Sequence, residues 1–393
     1  MTQIAIVGGG LSGSLAAVVL ARAGYRVTLI DRYPVYPKEF RVEKLAGAQI
    51  ELLRRLGMFD TLAAAATPFS DIVNVRAGRV IDRSQDQHYA LRYEEIVRLA
   101  RAALPPSVEL VIGRVADLKT AKDRQEITLS DGTRITADLI VLATGMGDAL
   151  RHKLRIRRRI VAEKQSISFG FSLRPEPGRS FGGEALTCYG AGPSDRIDYL
   201  SLFPLGDALR ANLFTFLDHQ DPWIRELRRA PAATLDAAMP SLRTFLGAYE
   251  IIDRVENWTM DLSVAENVEQ DGVVLIGDAF QTSCPAAGTG VTRLLTDIDR
   301  LCTVYIPRWF ETEGMGADKI AQFYRDPVKQ AVDADAMRLA HYRRSLTIDP
   351  SIQWNLRRRQ HFMRRRLVGW MDRMSPALTR QLKSYAGRGR ASA

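Results

Sequence analysis

Residues Gln3-Ile-Ala-Ile-Val-Gly-Gly-Gly-Leu-Ser-Gly13, an Ala- and Leu-rich run on to Ala23, and Arg26-Val-Thr-Leu-Ile-Asp31 decide the fold. A short apolar strand meets a glycine turn, a helical run follows, and a second apolar strand ends on an acid. In Gly8-x-Gly10-x-x-Gly13 each glycine has its own reason. The first permits the tight turn, the second lets backbone approach a pyrophosphate, and the third lets the helix pack closely on the strand. The helix start offers unpaired N–H groups and a positive dipole end. Asp31 follows Gly13 by 18 residues, where a carboxylate accepts hydrogen bonds from a ribose diol. Arg32 comes next, but the Asp31 charge repels a 2′-phosphate, so the pattern favours FAD or NAD over NADP.

Outward from this unit, periodicity predicts a helix over about 44–56 ending at Gly57, and another over 93–104 stopped by Pro105-Pro106. Strands are expected at 108–113, 115–119, 126–129 and 135–143. Between Ser166 and Phe216 the pattern changes to a mostly antiparallel sheet (166–173, 185–189, 198–203, 211–216), followed by a helical stretch near 223–246. Residues 272–276 return to a buried strand, leading into Gly277-Asp278 and a long helix from about Gly290. The last fifty residues read as helical and basic.

Far along the chain stands Gly277-Asp278-Ala279, with Gln281, Pro285, Gly288, Gly290 and then Asp297 on the following helix. This stretch resembles the group A flavoprotein monooxygenases, the para-hydroxybenzoate hydroxylase-like family, whose pattern runs G-D-A-x-H-x-x-x-P-x-x-G-x-G. The resemblance implies that the dinucleotide is FAD, with Asp278 on a ribityl hydroxyl and the Pro285–Gly290 loop and helix start near the isoalloxazine ring. It also suggests Arg41 and Arg92 as residues lying along the cofactor. Three positions depart from the family: Thr144 and Asp148 stand in Ala143-Thr144-Gly145-Met146-Gly147-Asp148-Ala149-Leu150-Arg151, where an Asp and a Ser are usual, and Gln281 replaces a frequent His.

The expected fold is therefore α/β: a Rossmann-like FAD-binding domain (1–165 and 265–342), an inserted, mostly antiparallel β-sheet substrate domain (166–264), and a basic helical C-terminal segment (343–393). The implied activity is a monooxygenase in which NADH or NADPH reduces FAD and O₂ is used, through a C4a-hydroperoxyflavin, to hydroxylate an apolar or aromatic small molecule. Two rivals remain: a reductase or dehydrogenase of a lipid-like or isoprenoid substrate, which the Thr144 departure favours, and a non-catalytic FAD-binding protein. A flavin halogenase lacks its W-x-W-x-I-P-like segment. The substrate is expected against Phe169, Phe171, Tyr199, Leu202, Phe214 and Phe216, with Tyr199 and Arg210 as weak catalytic candidates.

Composition narrows the remaining classes. The 393 residues are 46% hydrophobic and 25% charged, enough for a large core. An apolar strand begins within the first three residues, and no apolar run approaches membrane-spanning length, so a cytoplasmic protein is expected. Three scattered cysteines and five histidines show neither disulfide nor metal spacing. Net charge is +10, yet from Arg343 onward twelve Arg and one Lys face only Asp349 and Asp372, giving +11; the preceding 342 residues thus carry −1. This tail has two readings: a helix docked on the body with a solvated basic face, which is preferred, or peripheral contact with an anionic membrane. No nucleic-acid module accompanies the charge.

Overall fold

A computed structural model describes residues 2–178 and 183–374. Its first compact unit (Met1–Thr67, Tyr89–Ser166, Thr259–His341) is built on a five-stranded parallel sheet. In spatial order the strands are Val273–Leu275, Leu139–Leu142, Gln3–Val7, Arg26–Asp31 and Val108–Ile112. The central strands are buried on both faces and read as unbroken apolar runs. Gln3–Val7 pairs in register with both neighbours, Val7 opposite Ile30 on one side and Leu142 on the other. The carboxyl ends of all the strands therefore share one edge.

Two expected elements divide differently. The strand expected over 135–143 breaks at Asp138. Arg134–Ala137 joins a three-stranded antiparallel sheet, and Leu139–Leu142 enters the parallel one. The break is fixed because Gln3 N–H donates to the Asp138 carboxylate (2.7 Å) while the Asp138 N–H donates back to Gln3 O (2.8 Å). The helix expected over 44–56 begins only at Ala48 and runs to Arg55; Val42–Ala46 is a strand, turned into the helix at Gly47 with φ +49°. Gly57 closes that helix at φ +67°, as the C-cap reading requires.

The second unit gathers Pro68–His88, Ile167–Trp258 and the chain from Tyr342 onward. Its sheet is mainly antiparallel: 167–173 of one long strand pairs with Ala208–Thr215, which pairs with Ile197–Leu205, which pairs with Ala185–Tyr189. Helices Pro222–Arg229, Pro231–Ala238 and Leu242–Leu246 cover one face through Ile224, Leu227, Leu235 and Leu242. This partition differs from the expected one in two places. The hairpin Ile72–Arg76/Arg79–Ser84 belongs here, Ile72–Arg76 lying parallel to Ala185–Tyr189. The helices 342–374 also belong here. Residues 375–393 of the basic segment lie outside the described residues.

Candidate functional site

At the carboxyl edge of the parallel sheet, each strand contributes its following loop to a cleft of about 520 Å³. Its walls include Gly8, Gly10, Asp31, Tyr36, Arg41, Tyr93, Thr144, Met146 and Asp278. Open α/β sheets bind ligands in this position because helix N-termini and exposed loop amides converge there.

The glycine turn is sterically obligatory. Gly8 has φ +106°, and a Cβ there would lie 2.4 Å from Ala143 O; a Cβ on Gly13 would lie 1.8 Å from Gly8 O. Gly10 is different. A Cβ on it would approach only Tyr36, at 4.0 Å, so its backbone fronts open space. The Leu11–Arg22 helix carries no acid in its first turn and no side-chain cap. Its first N–H groups are thus available to an anion, with the dipole reinforcing them.

Asp31 already organises this turn. Its carboxylate accepts from Gly9 N–H (2.5 Å) and Tyr33 N–H (2.7 Å) and faces Arg101 Nη2 at 3.3 Å. Arg101 in turn donates to Gly9 O and Tyr33 O, each at 2.9 Å. A carboxylate has about four lone-pair directions, so the cleft-lining Asp31 retains accepting capacity. Arg101 escaped the sequence reading because Tyr93–Ala102 is amphipathic and its arginines look like a solvated face; only the fold brings Arg101 to Gly9.

Arg41 lines the opposite wall. Its guanidinium pairs with Glu39 (2.5 Å) and lies 3.7 Å above the Tyr93 ring, and Tyr36 OH donates to the same Glu39. Burial opposes the Arg41 charge, but Tyr93, Glu39 and Glu43 outweigh it and hold the pKa above its ordinary value. Burial raises Glu43, with Asp278 adding to the shift against Arg41. Burial likewise pushes the Tyr93 phenol up to about 12. Arg92 is the exposed N-cap of the Tyr93–Ala102 helix and is not among the cleft-lining residues; Tyr93 beside it is.

Asp278 lines the cleft beside a rigid support. Gly277 has φ +60°, and its N–H donates to Asp297 Oδ2 (2.8 Å). Asp297 is paired with Lys329 (2.7 Å), Lys329 with Asp333 (2.9 Å), and Asp333 with Arg293 (2.7 Å). Arg293 also donates to Gln281 O, and Gln281 donates to Asp333 O, so Gln281, at the family's His position, is tied into this tetrad. Pro285 opens a short turn, Gly288 closes it at φ +66°, and Gly290 starts the helix to Arg300. These three are not among the cleft-lining residues, and Cys284 is buried against Ser166.

Asp148 binds Arg151 and Arg158, while Arg151 donates to Met146 O and, at 2.7 Å, to Ala279 O. Asp148, one of the departures from the family motif, therefore anchors a clamp in which Arg151 joins the 143–151 and 277–281 loops. Thr144 Oγ1 and Thr289 Oγ1 are buried without a hydrogen-bond partner. A buried hydroxyl with no partner costs about 1–3 kcal/mol, and Thr144 sits on the cleft wall.

In the second unit, Phe169, Phe171 and Leu202 belong to the unit's own core, and Phe216 is also fully buried. Tyr199 lies between Tyr189 (ring centroids 5.9 Å apart) and Phe214 (4.8 Å), each ring tilted against it, beneath Arg343. Arg210 is buried in the sheet, 3.8 Å from Asp253. Among the described residues no group of three or more His, Cys, Asp or Glu is placed to hold a metal.

The first unit's cleft has the features that a dinucleotide needs: glycines at 8 and 13 where a Cβ would clash, an uncapped helix start, the lining carboxylate of Asp31, and the unpartnered Thr144 hydroxyl. Comparison with known proteins agrees. A family described as an FAD binding domain matches residues 1–304. A 3-demethoxyubiquinol 3-hydroxylase of Escherichia coli is 27% identical over 333 residues, 78% of this chain and 80% of its own length. A kynurenine 3-monooxygenase of Salinispora arenicola is 25% identical, covering 75% and 70%. The crystal structure of p-nitrophenol 4-monooxygenase from Pseudomonas putida superposes with a TM-score of 0.75, at 16% identity and 97% coverage of both chains, and so shares the fold.

Proposed function

Because this chain belongs to the FAD binding domain family, across residues 1–304, and is an FAD-dependent monooxygenase, we propose that it hydroxylates an aromatic ring at the expense of NADH or NADPH and O₂. The observation that carries this reading is the cleft at the carboxyl edge, where Gly10, Asp31, Thr144 and Asp278 face one volume. Relatives named for hydroxylating a ubiquinol and for kynurenine support an aromatic substrate.

FAD, when bound, stores the two electrons taken from the nicotinamide and activates O₂; the protein supplies position and electrostatics. Gly8–Gly13 and the Leu11–Arg22 helix start would hold the pyrophosphate. Asp31, steadied by Arg101, would take the adenosine ribose, and Asp278 the ribityl chain. Arg41, kept charged by Glu39, adds positive potential along the wall. The Thr144 hydroxyl gains the partner that the free cleft does not give it. The Asp297–Lys329–Asp333–Arg293 tetrad acts through Gly277, fixing the backbone from which Asp278 projects.

The test is purification as a yellow protein, followed by aerobic NAD(P)H oxidation in the presence of phenols, quinols and arylamines with isotopically labelled O₂. Substrate-stimulated oxidation with one labelled oxygen atom in the product is expected. Anaerobic turnover with no label would refute the proposal and leave a reductase or dehydrogenase. FAD that no nicotinamide reduces would leave a non-catalytic binder.

A further inference from the structure

We propose that the outward ridge of the C-terminal helix Ile352–Met374 is a docking surface for an anionic phospholipid bilayer. The inference is independent of the reaction chemistry. The opposite face of the same helix is seated in the second unit by contacts that fix its rotation about the axis. A Cβ on Gly369 would lie 2.7 Å from Ile81 O, so the helix backbone rests directly on the Arg79–Ser84 strand. Arg365 grips Asp82 with two hydrogen bonds of 2.6 and 2.8 Å. Arg358, buried, donates to Leu346 O and Asp349 O, and Phe362 packs on Tyr189 beneath Arg76.

Residues 358, 362, 365 and 369 are one helical stripe, so what lies opposite must face away. There stand Ile352 (88% exposed), Leu356 (55%), Met363 (68%), Leu367 (55%), Trp370 (56%) and Met374 (71%). Their spacing of four, seven, four, three and four residues keeps them in a single line along 23 residues, about 34 Å of helix. Single exposed apolar residues are ordinary, but an aligned ridge of six is not.

The flanks choose the partner. At 100° per residue, Arg357 and Arg364 fall on one side of the ridge and Arg359 and Arg366 on the other, all four exposed. From residue 350 onward the sequence contains one acid, Asp372. An apolar ridge between two cationic rows matches the acyl boundary and the phosphates of an anionic leaflet, with Trp370 at the depth indoles prefer. Nucleic acid would leave the ridge unsatisfied, and a second copy would bring like charges together. No described helix is long and apolar enough to cross a membrane, so the contact is with the surface.

The experiment is sedimentation of the full-length protein with vesicles of phosphatidylcholine alone or mixed with phosphatidylglycerol. The wild type should pellet with the mixed vesicles and remain soluble with the neutral ones, losing affinity as salt rises. Leu367→Ser/Trp370→Ser should weaken binding by at least about tenfold. Each of Arg357, Arg359, Arg364 and Arg366 changed to Gln should weaken it roughly fivefold. Unchanged circular dichroism and melting in these surface variants would show that the fold is kept. Equal pelleting of wild type and ridge variant overturns the proposal, as does wild type that stays soluble with both vesicles. A concentration-dependent dimer that the ridge substitutions abolish, without vesicle binding, also overturns it by assigning the ridge to self-association.

Discussion

Replacing Lys329 with Met should destabilise the protein by about 3–5 kcal/mol, the cost of leaving a buried carboxylate without its partner. Lys329 and Asp297 are each about 1% exposed and 2.7 Å apart. Methionine fills much of the volume and keeps contact with Phe280 and Phe323, whose rings lie 4.1 and 5.0 Å from the ammonium. The loss is thus chiefly electrostatic. At about 2–4 °C per kcal/mol for a unit of this size, melting should fall by roughly 10 °C near neutral pH. The sign with pH follows from Asp297. Burial, reinforced by Asp333, already raises its pKa against the pull of Lys329; without Lys329 it rises further. A carboxyl whose folded pKa lies above its unfolded value gives its full stability at low pH and loses it as pH climbs through the folded value. The deficit of the variant should therefore shrink in mild acid and widen toward alkaline pH. Asp297→Asn added to Lys329→Met should recover much of the loss, because the amide can still accept from Gly277 N–H. Differential scanning calorimetry across pH measures all of this. A loss below about 1 kcal/mol at neutral pH, or a double variant no better than the single, would refute the reasoning.

Thr144→Val should raise the FAD dissociation constant about tenfold while leaving the apoprotein's melting unchanged or higher, since a partnerless buried hydroxyl is removed; equal affinities by flavin fluorescence titration would count against the assignment. Gly13→Ala, with its Cβ 1.8 Å from Gly8 O, should yield protein without bound flavin absorbance, or none that folds. Burial pushes the Cys188 thiol up to about 12 and raises Cys302, and Cys284 is also buried. A disulfide reagent at about pH 8 should consequently find no thiol until denaturant is added. Burial, helped by Arg365 and Arg343, lowers His361 to about 4. Its contribution to docking the C-terminal helix is complete above about pH 6.5 and is lost as pH falls toward 4; His361→Gln should flatten that dependence in a melting series.

A dinucleotide was legible in the sequence because the glycine turn depends on local steric necessity, and the resemblance carried by Gly277-Asp278 made that dinucleotide FAD. Only glycine satisfies positions 8 and 13 of the turn, and the strand–turn–helix–strand context explains Asp31. Interactions that join distant segments were not legible. Arg101 belongs to the glycine turn only because its helix packs against it, and no spacing rule connects residue 101 to residue 9. The Asp148–Arg151 clamp looked like a motif failure until the fold placed Ala279 O within reach. Strand 139–142 was hidden inside a longer apolar run because nothing local marks the point where Asp138 changes sheets.

The tail makes the division sharpest. From the sequence alone, residues from Arg343 onward are cationic and the last fifty read as helical, with apolar residues interleaved among the arginine triplets 357–359 and 364–366. Periodicity is symmetric between a face turned inward and a face turned outward. What broke the symmetry was tertiary: Asp82 waiting for Arg365 and a strand backbone close enough that only Gly369 fits. Those contacts half-bury Phe362 and leave Leu367 and Trp370 in solvent.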